Sequence, residues 1–405
     1  MVEVEPLIKK RLLAGITVNV LILGTVSFLT DVGSEMIFAL LPLYMTTVLG
    51  IEMAFVGLIE GAAESATSIL KAFSGWFSDK IGRRKPLVAV GYGASTLSKP
   101  FFAVVTSPLQ VLLIRVLDRV GKGIRTSPRD ALIADSIKPE GRGRAYGLHR
   151  SLDTTGAVLG PLLAFILLPM IWYTGVFIAS IIPGALAVIL LVALVKEERH
   201  PVESHGSRYF LRELRTFDIE FKLFLVVVVI FALSNFSYAF FLLRARDTGV
   251  HENIIPLIYL LYNAVYATSA FPLGSLADKV GKKTMLFLGY LIFGCTCLGF
   301  AFASSPYHSV FLFVLYGLFQ AFTDAVQRAF VPDFVSVESR GTAFGIFHTS
   351  IGLAALPASL LAGALWQLFG SSIPFLVGAA ISISSAVLLS LIVRPKQPLQ
   401  LCNGL

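Results

Sequence analysis

The chain has 405 residues, 56% of them hydrophobic and only 14% charged, with a formal net charge of +8 and a mean hydropathy of +0.79. Soluble domains carry about 25% charged residues, and a soluble chain of this length could not bury so much apolar surface. A water-soluble enzyme and a nucleic-acid-binding domain are therefore excluded, and the lipid bilayer is the expected surrounding.

The apolar residues arrive in blocks of roughly 20 or more, the length of a membrane-spanning helix. The alternating ten-residue segments of an outer-membrane barrel are absent. Blocks fall at 17–48, 53–78, 86–106, 109–135, 144–171 and 174–196. After a polar stretch they resume at 217–245, 253–278, 284–304, 308–334, 342–369 and 373–394. The pattern predicts an all-α membrane protein with twelve transmembrane helices in two pseudo-symmetric six-helix bundles. Residues 1–196 form the first bundle, 197–216 a cytoplasmic linker and 217–405 the second bundle. No small-residue cleavage site follows Lys9, Lys10 and Arg11, so the first span is expected to remain in the protein.

Basic residues concentrate in alternate loops: Lys80, Arg83, Arg84 and Lys85; Lys138, Arg142 and Arg144; the linker; Lys279, Lys282 and Lys283; and Arg340. By the positive-inside rule these loops are cytoplasmic, which places both termini inside an inner membrane. Cys295 and Cys297 lie in an apolar block and Cys402 in the tail, a spacing that reads as packing and implies no disulfide framework. There is no phosphate loop, zinc spacing or Ser/His/Asp set, so neither an enzyme nor an ATP-driven pump is expected, and no cofactor or bound metal.

The halves repeat. Gly75-Trp-Phe-Ser-Asp79-Lys80-Ile-Gly82-Arg83-Arg84 aligns with Gly274-Ser-Leu-Ala-Asp278-Lys279-Val-Gly281-Lys282-Lys283. Asp135, Glu140, Arg142, Gly143, Ala145 and Gly147 align with Asp333, Glu338, Arg340, Gly341, Ala343 and Gly345. A parallel repeat of six spans predicts two bundles related by an axis along the membrane normal, with a site near the midplane.

The repeated G-x-x-x-D-[KR]-x-G-[KR]-[KR] loop, the span count and the central linker resemble the major facilitator superfamily along nearly the whole chain. The resemblance implies an alternating-access secondary transporter, with spans 1, 4, 7 and 10 lining the cavity. It also implies gating roles for Gly75, Asp79, Gly82, Arg83, Gly274, Asp278 and Gly281. On the fifth span, Gly147, Gly156, Gly160 and Pro161 resemble the spacing of the family's proton-coupled exporters. The paired glycines that usually follow are replaced here by Ala164 and Phe165.

Charges within the spans are costly and are expected to face a bundle interior or a wet cavity. The first span carries Asp31 and Glu35, and the second Glu60, Glu64 and Lys71. The fourth carries Arg115, Asp118, Arg119, Lys122, Arg125 and Arg129 on one face. Asp31, Glu35, Glu60, Glu64, Arg115 and Asp118 are candidates for proton coupling; Arg119, Lys122, Arg125 and Arg129 are basic cavity residues. The alternative is a self-neutralised network that only holds helices together. In the second half Tyr259, Asn263, Thr323 and Gln327 stand where the first has Glu60, Glu64, Arg125 and Arg129. Asn235, Asn263, Asp324 and Arg328 are therefore candidate substrate contacts. The expected function is proton-coupled efflux of a small molecule by a monomer. Uptake or facilitated transport of an organic anion, export of a metal ion or chelate, and a non-transporting receptor remain as alternatives.

Overall fold

The computed structural model describes residues 17–138, 141–197, 217–335 and 339–393. The side chains of Asp79, Arg142 and Asp278, the linker from 198 to 216, Glu140, Glu338, Cys402 and the basic residues before position 17 lie outside the described set.

The described residues are helical, with no strand among them. α1 runs Val18–Phe38 and continues beyond a turn as Leu41–Leu43 and a π-helical stretch Tyr44–Val48. α2 is Met53–Ile81, α3 is Lys85–Ser98 with a 3-10 extension Lys99–Ala103, and α4 is Pro108–Asp135. The next helix, Arg142–Ala179, is broken at Trp172, whose φ of 59° and ψ of 177° are not helical. That break separates α5 (142–171) from α6 (173–194). The backbone keeps helical angles through Pro161, so the departure comes at Trp172 and not at the proline. α7 is likewise in two pieces, Ile219–Ser234 and Tyr238–Asp247, with Asn235–Ser237 between them. α8 is Ile255–Val280, α9 Lys282–Phe302, α10 Pro306–Phe330, α11 Arg340–Phe369 and α12 Ile373–Ile392.

Nine stretches among the described residues are long and apolar enough to cross a membrane, and one of them, Arg144–Leu194, contains both α5 and α6. α3 and α4 complete the set of twelve. α4 is less apolar than the other spans because of its charges.

The chain divides into two compact units. The first comprises Met1–Ile51, Ala62–Ser204 and His251–Asn263, and the second Glu52–Gly61, His205–Val250 and Ala264–Leu405. The opening turns of α2 thus group with the second half of the sequence, and those of α8 with the first. In the second unit, Gln367 of α11 accepts a hydrogen bond from the Ala54 amide (3.2 Å) and donates one to Glu52 (2.7 Å). In the first, Tyr173 of α6 donates to Glu252 at 3.4 Å.

Within the first unit the closest seam is α1 against α5. A Cβ built on Gly156 would lie 2.5 Å from the carbonyl oxygen of Phe28 and 3.1 Å from the Cβ of Asp31. One built on Gly160 would lie 2.7 Å from both the Cβ of Glu35 and the carbonyl oxygen of Val32. Two of the four exporter-like positions on α5 therefore let it touch α1 at its two acids. Gly147 meets nothing within 4 Å. The contrast gives a test. Gly156→Ala and Gly160→Ala should each destabilise the protein by about 1–3 kcal/mol through overpacking, read as a lowered thermal midpoint in detergent. Gly147→Ala should leave it unchanged; equal effects at all three positions would contradict this seam.

Candidate functional site

The first unit gathers most of the charged residues within its helices. α4 presents its charged face to α1, α2 and α3. Arg115 is fully buried and its guanidinium lies 3.9 Å from the ring centre of Phe38 on α1; that of Arg119 lies 4.6 Å from the same ring. Arg125 stacks on Tyr92 of α3 at 4.4 Å. Asp118 accepts a 2.5 Å bond from Ser95 and pairs with Arg115 at 3.9 Å. Lys99 at the end of α3 is fully buried beside Asp118, with its ammonium 3.5 Å from the Thr30 carbonyl. Arg115 and Asp118 thus belong to a buried cluster in which one acid serves several cations.

A second group is more open. Lys122 faces Asp31, Glu35 and Glu64, with Arg119 beside it. Glu35 accepts a 2.8 Å bond from the Tyr259 hydroxyl. Glu64 is exposed and is faced by Arg119 and Lys71. Arg119 Nε and Arg125 Nη1 are buried with no hydrogen-bond partner among the described residues. Arg129, expected among the basic cavity residues, instead bonds Asp130 (2.8 Å) and the Ser27 hydroxyl (3.2 Å) at the α1–α4 contact.

Glu60 falls apart from the other acids, in the second unit. It is buried and accepts a 3.3 Å bond from Ser237, at the interruption of α7. The Ser237 amide donates to Ser359 at 3.2 Å. Asn235 closes the first piece of α7 and is exposed. Asp324 ion-pairs with Arg328 and accepts a 2.7 Å bond from Tyr266. Asn263, in the first unit, is buried and donates to the carbonyl of Tyr259 in its own helix at 3.1 Å. Part of its hydrogen-bonding capacity is thereby taken up internally.

The repeated loops end α2 and α8 on glycines in the left-handed region, Gly82 at φ 65° and Gly281 at φ 98°. Side chains there would be strained. A Cβ on Gly75 would lie 3.3 Å from Ser127, whereas Gly274 is open. The bases that follow these turns do corresponding work. Lys282 pairs with Asp333 at 2.7 Å, and Lys283 donates to the Ser390 carbonyl at 2.8 Å. In the first repeat it is Arg84 that pairs with Asp135, and Lys85 that donates to the carbonyls of Val192 (2.9 Å) and Val195 (2.7 Å). The loop therefore has one extra residue, and Arg83, the sequence-based gating candidate, is the exposed one.

Several partners escaped the sequence reading: Asp153, Lys99, Phe38, and the roles of Tyr259 and Ser237. Asp153 and Lys99 were legible as charges inside apolar blocks; Phe38 carried no signal. Among the described residues no group of three or more His, Cys, Asp or Glu is placed to hold a metal ion.

Comparison with known proteins agrees with this architecture. The sequence model of the Major Facilitator Superfamily matches residues 23–242 and 223–401. An uncharacterized MFS-type transporter of Methanocaldococcus jannaschii is 40% identical over 380 residues, covering 92% of this chain and 94% of that one. The quinolone resistance protein NorA of Staphylococcus aureus is 23% identical over 374 residues, covering 89% and 93%. Among solved structures, a mutant form of the nucleoside transporter NupG superposes with a TM-score of 0.80 at 15% identity, over 93% of this chain and all of that one. A D-xylose–proton symporter gives 0.76 at 14% identity, over 93% and 97%. With a family match along nearly its whole length, this multi-pass membrane chain belongs to the major facilitator superfamily and is a secondary transporter of a small molecule, not an enzyme.

Proposed function

We propose that the protein exports a small molecule in exchange for protons, working as a monomer in the inner membrane with both termini in the cytoplasm. The observation that carries this is Lys122, a cation close to three acids from two helices, Asp31, Glu35 and Glu64, with Arg119 beside it. Changing the protonation of any of the three alters the balance around the same ammonium. A proton gradient needs such a group to act on. The likeness to a quinolone resistance protein supports the outward direction. Proton coupling centres on Asp31, Glu35 and Glu64 in this reading, while Arg115 and Asp118 hold α4 in place. In the second unit Asn235, Asp324 and Arg328 supply substrate contacts; Asn263 of the first unit, bonded within its helix, contributes less.

A second reading is transport of an organic anion. It is favoured by the buried donor atoms of Arg119 and Arg125 that have no hydrogen-bond partner among the described residues, since an anion would satisfy them.

Three measurements follow. Uptake of a quinolone probe into everted vesicles should rise with an imposed pH gradient in wild type and lose that response in Glu35→Gln. The substitution keeps an acceptor for Tyr259 but removes a counter-charge of Lys122, at a cost of up to about 3–5 kcal/mol of stability, so the thermal midpoint is measured alongside. Transport indifferent to the gradient overturns proton coupling. Competition by an aromatic carboxylate, lost in Arg119→Gln, would select the anion reading instead. For topology, Arg83→Cys and Lys279→Cys in a background without native cysteines should resist an impermeant maleimide in intact cells and react once the cells are opened. Labelling in intact cells reverses the orientation.

A further inference from the structure

The α1–α5 seam contains one contact between two acids. Asp31 on α1 and Asp153 on α5 meet in the first unit: Ser27, one turn before Asp31, donates to Asp153 at 2.8 Å, and a Cβ on Gly156, one turn beyond Asp153, would lie 3.1 Å from the Cβ of Asp31, which brings the two carboxyl groups within hydrogen-bonding reach. Ionised carboxylates only accept hydrogen bonds, so a bond between two of them requires a proton on one. Gly156, one turn beyond Asp153, makes the approach possible, because any side chain there would meet Phe28 and Asp31.

The surroundings of the two acids differ. Asp153 accepts from Arg150 at 3.0 Å and from the Ser27 hydroxyl at 2.8 Å, and Arg129 of α4, itself bonded to Ser27 at 3.2 Å, lies close by. His149 precedes it by one turn on α5, buried, with its Nε2 atom lacking a hydrogen-bond partner among the described residues. Asp31 is faced by Lys122 of α4 and Lys99 of α3, and by Glu35 one turn along α1. Two donors on Asp153, one of them a guanidinium group, together with the nearby cation of Arg129, favour its anion. Among the described residues Asp31 has no comparably direct donor.

We propose that Asp31 and Asp153 form a single-proton site, with Asp31 carrying the proton that it donates to an ionised Asp153. When the proton leaves to water, the bond becomes a contact between two anions, which repel. Proton occupancy thereby sets how closely α5 can sit against α1, and Asp153 is the positioning residue that makes Asp31 a proton carrier. The role of this site in coupling rests on the proton-driven reading above; the existence of the site does not.

The test uses the full-length protein reconstituted in lipid and the infrared carbonyl band of protonated carboxyl groups at neutral pH. Asp31→Asn and Asp153→Asn should each remove the intensity of one carboxyl group. The double variant should remove no more than either single, because there is one proton between two acids. A purely structural role for Asp153 would leave the band unmoved. Retention of the full band in Asp153→Asn overturns the proposal, as does a double variant that loses twice the intensity of a single one. Asp153→Ser serves as the readout if the asparagine variant does not fold. Transport that ignores a pH gradient while these spectra hold would refute the coupled exporter and leave the site standing; the opposite pair of results would refute the site alone.

Discussion

A charge within the bilayer must be paired, hydrated or held by a polarisable surface, and α4 meets this demand five times over with Arg115, Arg119, Lys122, Arg125 and Arg129. Placing each at a helix centre costs about 2.5–3.5 kcal/mol on insertion scales. A desolvated cation–π contact returns about 2 kcal/mol, so aromatic rings alone do not close the gap. The rest falls to acids, and their placement organises the first unit. Asp118 serves the buried end of the cluster, Asp31, Glu35 and Glu64 offset Lys122, the last two together with Arg119, and Asp130 takes Arg129. α1 must lie close to α4 and α5 for this to work. The small residues at 156 and 160 are the means by which it does.

The repeat shows the same economy in the connecting loops. Each repeat ends its second helix on a left-handed glycine. It then ties one base to the acid ending its fourth helix and the next base to carbonyls ending its sixth. These ties survive a difference of one residue in loop length, which argues that the contacts, and not the local sequence, are what the two copies share.

Much of this was legible in the sequence. Twelve apolar blocks give the helices because hydrophobicity and length are local properties, and the loop glycines announce their turns for the same reason. Partners were less legible because they depend on which faces meet. Glu60 sits in the helix pattern of Glu64 one turn earlier, yet it groups with the second unit, where it accepts from Ser237. Asn263 reads as a free amide until its bond to Tyr259 is seen. Arg83 and Arg84 are identical letters, so the sequence alone cannot say which one reaches Asp135. The acid on α5 went unweighed because its neighbours in sequence, the glycines, carried the stronger motif.

Phe38 has a consequence of its own. Its ring gathers Arg115 and Arg119 without offering either a counter-anion. A carboxylate in that place would quench the guanidinium field and would itself discharge on acidification. A benzene face does neither: its quadrupole is indifferent to pH. The charge on these two arginines is therefore a constant of the fold, present whichever way neighbouring acids are loaded. Against such a fixed background, each proton gained or lost nearby registers as a change in sign or size of the local potential, and an anionic group passing close to α4 would feel it.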